Sequence, residues 1–559
     1  MPPGARQLLV LEITLLLVAP VLLLFLVGAS TWTPPNTPDS EFYLSLGVFG
    51  YDVTARAPNP AYYWTRLGVV GPMRTLTRVF GIELGLWIWR WLLITLAIVP
   101  TYLFARRWRG VTAGVAAATV VLFNSVFVTV VGNTYPTGAI ISLLIAECAL
   151  LGLALVGGER TRWTCVVLAG AAVGWIAMCN QIAAIFAVLA AVPFAVVMVR
   201  RNWRPAALSW LVAVLAALGT FTAFLAGGHL LFPGLSWLDT TRYYAEVLRP
   251  DAFRADNLDW LAASPGIVFL LALLTAAVIA VPATPDRVVL STLVAGTGLC
   301  AAFALWNQFV SMGSLLETPV YVAMLWGPAL VLAAALVSVM TPTGRRGWIT
   351  VGLIVAGLVV AGTFWTVGVW VVPWGVAIGA VIVAASIGWR LSPAPARPLV
   401  GLVAIGILVC GAQALQNGTP TDVRAISLRI PYWSSYRATT AGAVIRQDLD
   451  VQRWVIGETP GSQVMVWSPD PTFSSPAAMS LNGPNALSMT KAITPAQRSW
   501  VSSVGPVHIL TLAATGSGAR TLAGRLKVLN LGATTPACTS FPGDDGVPTV
   551  HACLTRLNQ

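Results

Sequence analysis

The sequence LLITLAIVPTYLFARRWRGVTAGVAAATVVLFNSVFVTVVGNTYPTGAIISLLIAECALLGLALV, residues 92–156, contains the end of one apolar run and two further apolar runs. The first gap between them, ARRWRG, carries arginine, whereas the second gap, GNTYP, carries no charged residue. Each run is close to the roughly 20 residues that an α-helix needs to cross a hydrocarbon core about 30 Å thick. The segment therefore predicts consecutive membrane-spanning helices whose connections alternate in charge.

The composition of the whole chain supports the same architecture. The 559 residues are 57% hydrophobic and only 10% charged, and the mean hydropathy is +0.78, whereas about a quarter of an ordinary soluble domain is charged. We predict a polytopic α-helical membrane protein with about 13 transmembrane helices, because apolar runs of spanning length lie at 8–28, 83–105, 111–131, 137–157, 163–179, 181–199, 206–227, 264–282, 288–306, 319–340, 348–366, 368–388 and 398–414.

The positions of the arginines predict the orientation of the chain. If the N-terminus is cytoplasmic, every even-numbered gap is cytoplasmic and carries arginine, whereas the short odd-numbered gaps carry none, as the positive-inside rule requires. The arginines of the even-numbered gaps are Arg106, Arg107, Arg109, Arg160, Arg162, Arg200, Arg201, Arg204, Arg287, Arg345, Arg346, Arg390 and Arg397. An odd number of spans then places the chain after residue 414 outside the cell.

Two domains follow from this topology. Residues 1–414 form the transmembrane domain, and residues 415–559 form an extracytoplasmic soluble α/β domain, in which the strand-like runs SQVMVWSP and VHILTLAA alternate with helical runs. Lysine occurs only at Lys491 and Lys527, and this preference for arginine, with abundant Ala, Val, Gly and Pro, indicates a GC-rich bacterial genome. We therefore expect a multi-pass protein of a bacterial plasma membrane.

The cysteines and the net charge limit the chemistry. Five of the seven cysteines lie in or at the ends of apolar runs, whereas Cys538 and Cys553 enclose a Gly/Pro-rich loop of the polar tail. A disulfide between these two is expected if the tail is exported. The net charge of +12 comes from residues between apolar runs rather than from one basic stripe, so a nucleic-acid partner is not predicted. The three histidines are scattered, and no metal site is predicted from them.

The first outside loop, residues 29–80, contains the candidate catalytic groups. Asp39 and Glu41 follow the first span directly, where a carboxylate can deprotonate an acceptor hydroxyl or hold a divalent cation against a phosphate. The alternative is that these acids only begin a surface helix, because acidic residues stabilise a helix N-terminus.

Candidate phosphate-binding residues also lie in the predicted outside loops. They are Arg66, Arg74 and Arg78 of the first loop and Arg242 of the loop at about 228–263. Guanidinium groups there can donate charge-assisted hydrogen bonds to phosphate oxygens, although snorkelling or pairing with nearby acids is an equally ordinary use. Four charges lie within or at the ends of apolar runs, and we expect an ion pair among them: Glu12, Glu83, Arg90 and Glu147.

The order of these features resembles the GT-C superfamily of polyprenyl-phosphosugar-dependent glycosyltransferases. After the first span comes a helix with acidic and aromatic residues, and then a segment with two tyrosines and an arginine. A proline and a Phe-Gly turn follow, and the next span contains an arginine. In chain order these residues are Asp39, Glu41, Tyr43, Tyr62, Tyr63, Arg66, Pro72, Phe80, Gly81 and Arg90. The resemblance is clearest over residues 1–200. It implies transfer of a sugar from a polyprenyl-phosphate donor on the outer face to an envelope glycan, glycolipid or exported protein, with Asp39 or Glu41 as the base and Tyr43 and Tyr63 near the substrate.

One departure affects the expected cofactor. Many members carry a second acid in the loop after the third span, but here Asn133 occupies the GNTYP gap. An amide can accept a hydrogen bond but can neither neutralise a metal nor take a proton. A divalent cation is thus only a possible cofactor. Two other functions stay open: a transporter or flippase of envelope lipids, and a non-catalytic envelope assembly protein.

Overall fold

The computed structural model describes residues 10, 12–14, 16–21, 38–50, 52, 62–122, 124–132, 134–247, 266–284, 286–311, 315–316, 319–341, 344–349, 439–460, 462–467, 507–528, 535–543 and 549–557. The predicted spans at 368–388 and 398–414, and nearly all of that at 348–366, lie outside the described residues. The predicted domain boundary at 414/415 lies outside them too and stays a prediction.

Helices dominate the described part of the chain. The helices before residue 350 are α1 (Pro38–Phe49), α2 (Leu67–Phe80), α3 (Ile82–Arg109), α4 (Val111–Leu122), α5 (Ser125–Gly132), α6 (Thr137–Val156), α7 (Glu159–Cys179), α8 (Gln181–Arg201), α9 (Trp203–Leu231), α10 (Trp237–Val247), α11 (Gly266–Ala280), α12 (Arg287–Phe309) and α13 (Trp326–Met340). A 3₁₀ turn at Tyr62–Thr65 precedes α2, and short helical turns at Pro319–Val322 and Ala323–Leu325 lead into α13.

Seven helices of the described part are long and apolar enough to cross a membrane. They are Ile82–Arg109, Thr137–Val156, Glu159–Cys179, Gln181–Arg201, Trp203–Leu231, Arg287–Phe309 and Ala323–Met340. All seven coincide with predicted spans, which confirms the polytopic helical membrane architecture. The total of about 13 spans and the sidedness of the chain stay predictions. Residues 163–199 form two helices, separated at Asn180, whose side chain accepts a hydrogen bond from the Ile182 amide at 2.8 Å.

One predicted span is wrong as a single helix. The run at 111–131 is divided into α4 and α5, because Asn124 interrupts it with a side chain that accepts a hydrogen bond from the Phe127 amide at 3.1 Å. An asparagine that bonds to the backbone in this way begins a new helix instead of continuing the previous one.

Helix α6 lies at the centre of the bundle. Nearly all of its residues are buried, and it packs against α3, α7, α8 and α13. Glycines allow the closest approaches between neighbouring helices. A Cβ added to Gly170 or Gly174 of α7 would lie 2.2 Å from the carbonyl oxygen of Ala213 or Ala217 of α9. Small residues four apart are the usual means by which membrane helices approach closely.

The charges within the apolar runs do not pair as expected. Glu12 forms an ion pair with Arg106 at 2.5 Å, and Glu83 lies 3.7 Å from Arg446. Arg90 donates to the carbonyl oxygen of Gly132 at 2.7 Å. The two carboxyl oxygens of Glu147, in the middle of α6, are buried and have no hydrogen-bond partner in the described part of the chain. Among the described residues, no ion pair joins any two of the four candidates, so that expectation is wrong.

The described part of the tail has the α/β character that its sequence predicts. It contains α14 (Thr439–Glu458), β1 (Gln463–Trp467), β2 (Val507–Ala513), α15 (Gly516–Val528), β3 (Ala537–Phe541) and β4 (Val550–Arg556). The strands form one sheet in the order β1-β2-β4-β3, with β1 and β2 parallel and the other pairs antiparallel. Cys538 and Cys553 are direct cross-strand neighbours and form the predicted disulfide.

The isolated carboxyl of Glu147 generates a prediction about stability. Replacing Glu147 with leucine, which has a similar volume, should raise the free energy of unfolding by about 1–3 kcal/mol, because it removes a buried polar group that has no partner. The measurement is thermal unfolding in detergent micelles. The control, Glu159→Leu at the exposed start of α7, should change the free energy of unfolding by no more than about 0.5 kcal/mol. A clear loss of stability in Glu147→Leu alone would show that this carboxyl stabilises the bundle.

Candidate functional site

Helix α1 carries the two predicted catalytic acids in its first turn. Asp39 and Glu41 are the second and fourth residues of Pro38–Phe49, so their backbone is helical. A helical backbone is compatible both with a catalytic role and with acids that only begin a surface helix. Their side chains, and that of Tyr62, lie outside the described residues. The catalytic role of the two acids therefore stays a prediction.

A cluster of three tyrosines lies about one turn after the acids of this helix. The Tyr43 ring lies 5.2 Å from the Tyr63 ring and 5.6 Å from the Tyr135 ring, centroid to centroid, and both contacts are edge-to-face. Tyr43 and Tyr63 are buried. Three separate segments thus meet at one place: α1, the 3₁₀ turn before α2, and the GNTYP gap. The predicted substrate residues Tyr43 and Tyr63 are brought together, and Tyr135 is a member of the cluster that sequence reasoning missed.

Arg90 holds the GNTYP gap in position. Its buried guanidinium donates to the carbonyl oxygen of Gly132, the last residue of α5, at 2.7 Å. Asn133 follows directly and lies outside the described residues, so its role stays a prediction. Its neighbours in the chain nevertheless place this gap beside the first loop, as the resemblance requires.

Three more hydrogen bonds bring further segments to the same end of the bundle. Arg66 Nη1 donates to Gln181 Oε1 at 3.1 Å, Trp175 Nε1 donates to the carbonyl oxygen of Gly68 at 2.7 Å, and Trp237 Nε1 donates to that of Thr65 at 2.8 Å. The first loop therefore contacts two segments that the arginine pattern places on its own side of the membrane: the gap at 179–181, through Gln181 and the nearby Trp175, and the loop at about 228–263, through Trp237.

The four candidate arginines have different environments. Arg74 Nη1 donates to the carbonyl oxygen of Val48, which joins α2 to α1. Burial, followed by repulsion from Arg78, lowers the pKa of Arg74, and the attraction of Asp52 opposes this. Arg78 and Arg242 are exposed, and Arg66 is partly buried. Arg74 thus has a structural contact with a backbone carbonyl, which neither interpretation predicted, and Arg66 is the candidate nearest to the tyrosine cluster along the chain.

An apolar groove of about 740 Å³ lies between α2, α3, α7 and α9. Its walls include Leu67, Gly71, Pro72, Thr75, Leu76, Trp89, Leu92, Ala171, Trp175, Ala216, Gly219, Thr220, Ala223, Phe224, Gly227, Gly228 and Leu231. No atom of the part of the chain that the structure describes lies within 4 Å of the position that a Cβ would take at Gly219 or Gly227, so these glycines keep the groove wide. Sequence reasoning missed this groove, although the glycines of α9 were a visible signal.

The groove ends beside Arg66. Leu67, the next residue, lines it, and so does Trp175, which is hydrogen-bonded to Gly68. Among the described residues, no side chain caps the N-terminus of α2, where Arg66 is the N-cap residue. The first amides of a helix have no acceptor within the helix and attract anions. The wall of the apolar groove therefore begins at the first residue of α2, directly after Arg66, whose guanidinium donates to Gln181.

The described residues contain no group of three His, Cys, Asp or Glu side chains placed to hold a metal ion. Because Asp39 and Glu41 have no described side chains, the possible divalent cation at these acids stays untested.

The structure is similar to that of ArnT from Cupriavidus metallidurans bound to undecaprenyl phosphate, with a TM-score of 0.52 and 14% sequence identity over 99% of this chain and 98% of that chain. ArnT from Cupriavidus metallidurans in the apo state gives a TM-score of 0.46, with 15% identity over 98% of each chain. No protein-family model and no curated protein matches the sequence. The first of these likenesses shows that this chain has the fold of that ArnT structure, which accords with the resemblance drawn from the first-loop residues.

Proposed function

We propose that this protein is a membrane glycosyltransferase that transfers a sugar from a polyprenyl-phosphate donor to an envelope glycan, a glycolipid or an exported protein. The observation that carries the proposal is the apolar groove that ends at Arg66 and the N-terminus of α2. A polyprenyl phosphate has a long hydrocarbon tail and an anionic head. The apolar groove suits the tail, and the N-terminus of α2 beside Arg66 suits the anionic head. The similar ArnT structure contains undecaprenyl phosphate, which supports a lipid of the same class here.

The proposed donor complex places the tail in the groove and the phosphate at its end. Leu67, Trp175 and Phe224 supply apolar surface for isoprene units. Arg66 and the first amides of α2 donate hydrogen bonds to the phosphate oxygens. These interactions strengthen as the sugar leaves, because the phosphate then gains negative charge.

The proposed reaction is a single displacement at the anomeric carbon. The acceptor hydroxyl oxygen forms a bond to that carbon while the bond to the phosphate oxygen breaks, and the hydroxyl proton passes to a carboxylate of the first loop. Asp39 is our first candidate for this base and Glu41 the second. Both begin the helix that Tyr43 fixes against Tyr63 and Tyr135, so their backbone positions adjoin the tyrosine cluster. In this mechanism an arginine stabilises the leaving phosphate, so no second acid is needed to hold a metal ion there. Asn133 at the place of that acid is consistent with such a mechanism.

The acids of α1 provide the first test. Asp39→Asn should lower the rate of sugar transfer by roughly 10²–10⁴, the usual contribution of a general base, and Glu41→Gln should do so if Glu41 is the base. Transfer from a polyprenyl-phosphate sugar is measured with the purified protein in liposomes. Asp52→Asn, an exposed acid of the same loop, is the control. Wild-type turnover in both α1 variants would remove the proposed chemistry, and lipid flux without sugar transfer would favour a flippase.

The groove provides the second test. Gly227→Leu fills open space in the groove and should weaken binding of undecaprenyl phosphate by at least tenfold, or about 1.4 kcal/mol. Ala226→Leu is the matched control, because Ala226 is the neighbouring residue of α9, is exposed, and does not line the groove. Binding is measured by native mass spectrometry of the protein released from nanodiscs. Equal affinities for the two variants would show that the tail lies elsewhere.

A further inference from the structure

A second cavity of about 460 Å³ lies between the turn that joins α2 to α3 and helix α14 of the tail. Its walls are Phe80, Gly81, Ile82, Glu83, Leu84, Arg446, Leu449, Asp450 and Arg453. The four residues of α14 follow the spacing i, i+3, i+4 and i+7, which places them on one face of the helix. Gly81 has φ of 81°, and no atom of the described ranges lies within 4 Å of the position of a Cβ there. We call this cavity the cleft.

The charges of the cleft are balanced. Glu83 lies 3.7 Å from Arg446, and Asp450 lies 2.6 Å from Arg453, so each guanidinium has a carboxylate beside it. A phosphate or another anion would have to compete with these carboxylates for the arginines. The cleft therefore favours a ligand without net charge that can both accept and donate hydrogen bonds.

The shape and exposure of the walls also limit the class of ligand. The side chain of Glu83 is 61% exposed and that of Arg446 is 43% exposed, so both can reach a ligand from solvent. Phe80 is 48% exposed and offers a flat apolar face beside these polar groups. Hydroxyl groups of a sugar accept from guanidinium and donate to carboxylate, while the C–H face of the ring packs on an aromatic side chain.

The cleft and the groove share helix α2. Leu67 to Leu76 line the groove, and Phe80 at the other end of α2 lines the cleft. Arg66 and Phe80, at opposite ends of α2, are about 21 Å apart along the helix axis at a rise of 1.5 Å per residue, so a glycan held in the cleft reaches the proposed phosphate end of the groove only over several sugar units. Buried Leu449 belongs to the same apolar cluster as the membrane helices, so α14 is packed against the bundle where the cleft forms.

We propose that the cleft binds the acceptor and that this acceptor presents a neutral, hydroxyl-rich glycan. The proposal rests on the function proposed above and narrows the acceptor from three classes to those that carry sugar. The donor lies on one side of α2 and the acceptor glycan at its end, so this helix separates the two substrates.

The test measures glycan binding by the full chain in nanodiscs. Maltotriose, mannotriose and arabinotriose serve as neutral probes, and saturation-transfer NMR measures their affinities. At least one should bind saturably, and Phe80→Ala and Arg453→Gln should each weaken it by at least tenfold. Arg520→Gln, an exposed arginine of α15 in the same tail, is the control and should leave the affinity unchanged. Each variant should keep the wild-type melting temperature, and inorganic phosphate should not displace the glycan.

Three results would overturn the proposal: no binding of any trisaccharide, equal affinities in wild type and both cleft variants, or displacement by phosphate. Undecaprenyl phosphate binding is measured on the same samples to separate this inference from the proposed function. Lipid binding without glycan binding would reject the cleft alone. Glycan binding without lipid binding would reject the donor and keep the cleft as a glycan site.

Discussion

The hydrocarbon core of a membrane offers no hydrogen-bond partner to a peptide group, so a chain within it must satisfy its own backbone. Helices do this along their length but leave carbonyl groups without partners where they end and where loops begin. In this protein, long side chains from other helices supply several of the missing donors where segments end: Arg90 to Gly132, Trp237 to Thr65 and Arg74 to Val48. Trp175 donates to Gly68 in the first turn of α2, whose carbonyl has no helical donor because Pro72 lacks an N–H. The loops that carry the candidate chemistry are held by these bonds.

The same constraint explains which features could be predicted from sequence. Spans such as α6 and α9 follow from length and hydropathy, because a helix is the only element that satisfies the backbone there. The disulfide between Cys538 and Cys553 also followed, since two cysteines in a short polar loop have few other partners. The break at Asn124 was missed because a single polar residue in an apolar run disturbs the mean hydropathy very little, although its side chain decides where α5 begins.

The partners of individual charges could not be predicted in this way. Position along a helix gives the depth of Arg90 and Glu147, but the pairing depends on which faces of α3 and α6 meet, and one sequence does not contain that information. Arg74 is a similar case, because its carbonyl partner at Val48 belongs to the backbone and leaves no signature in the side chains. The groove was missed for the same reason, since its walls come from four helices that are far apart in the chain.

Helix α2 shows how one element can serve several requirements. Its buried face, with Met73 and Thr77, packs on α1, where Thr77 donates to the carbonyl oxygen of Gly47 at 2.7 Å. Its apolar side lines the groove, and its N-terminus adjoins Arg66. Gly85 of α3 approaches the backbone of Leu76 so closely that a Cβ would lie 2.7 Å from it, which fixes the angle between α2 and α3. A change of that angle would alter the groove and the cleft together, because α2 and α3 supply residues to both. The rigidity of this hairpin therefore sets the distance between the two cavities, and with it the length of glycan that can extend from the cleft to the proposed phosphate end of the groove.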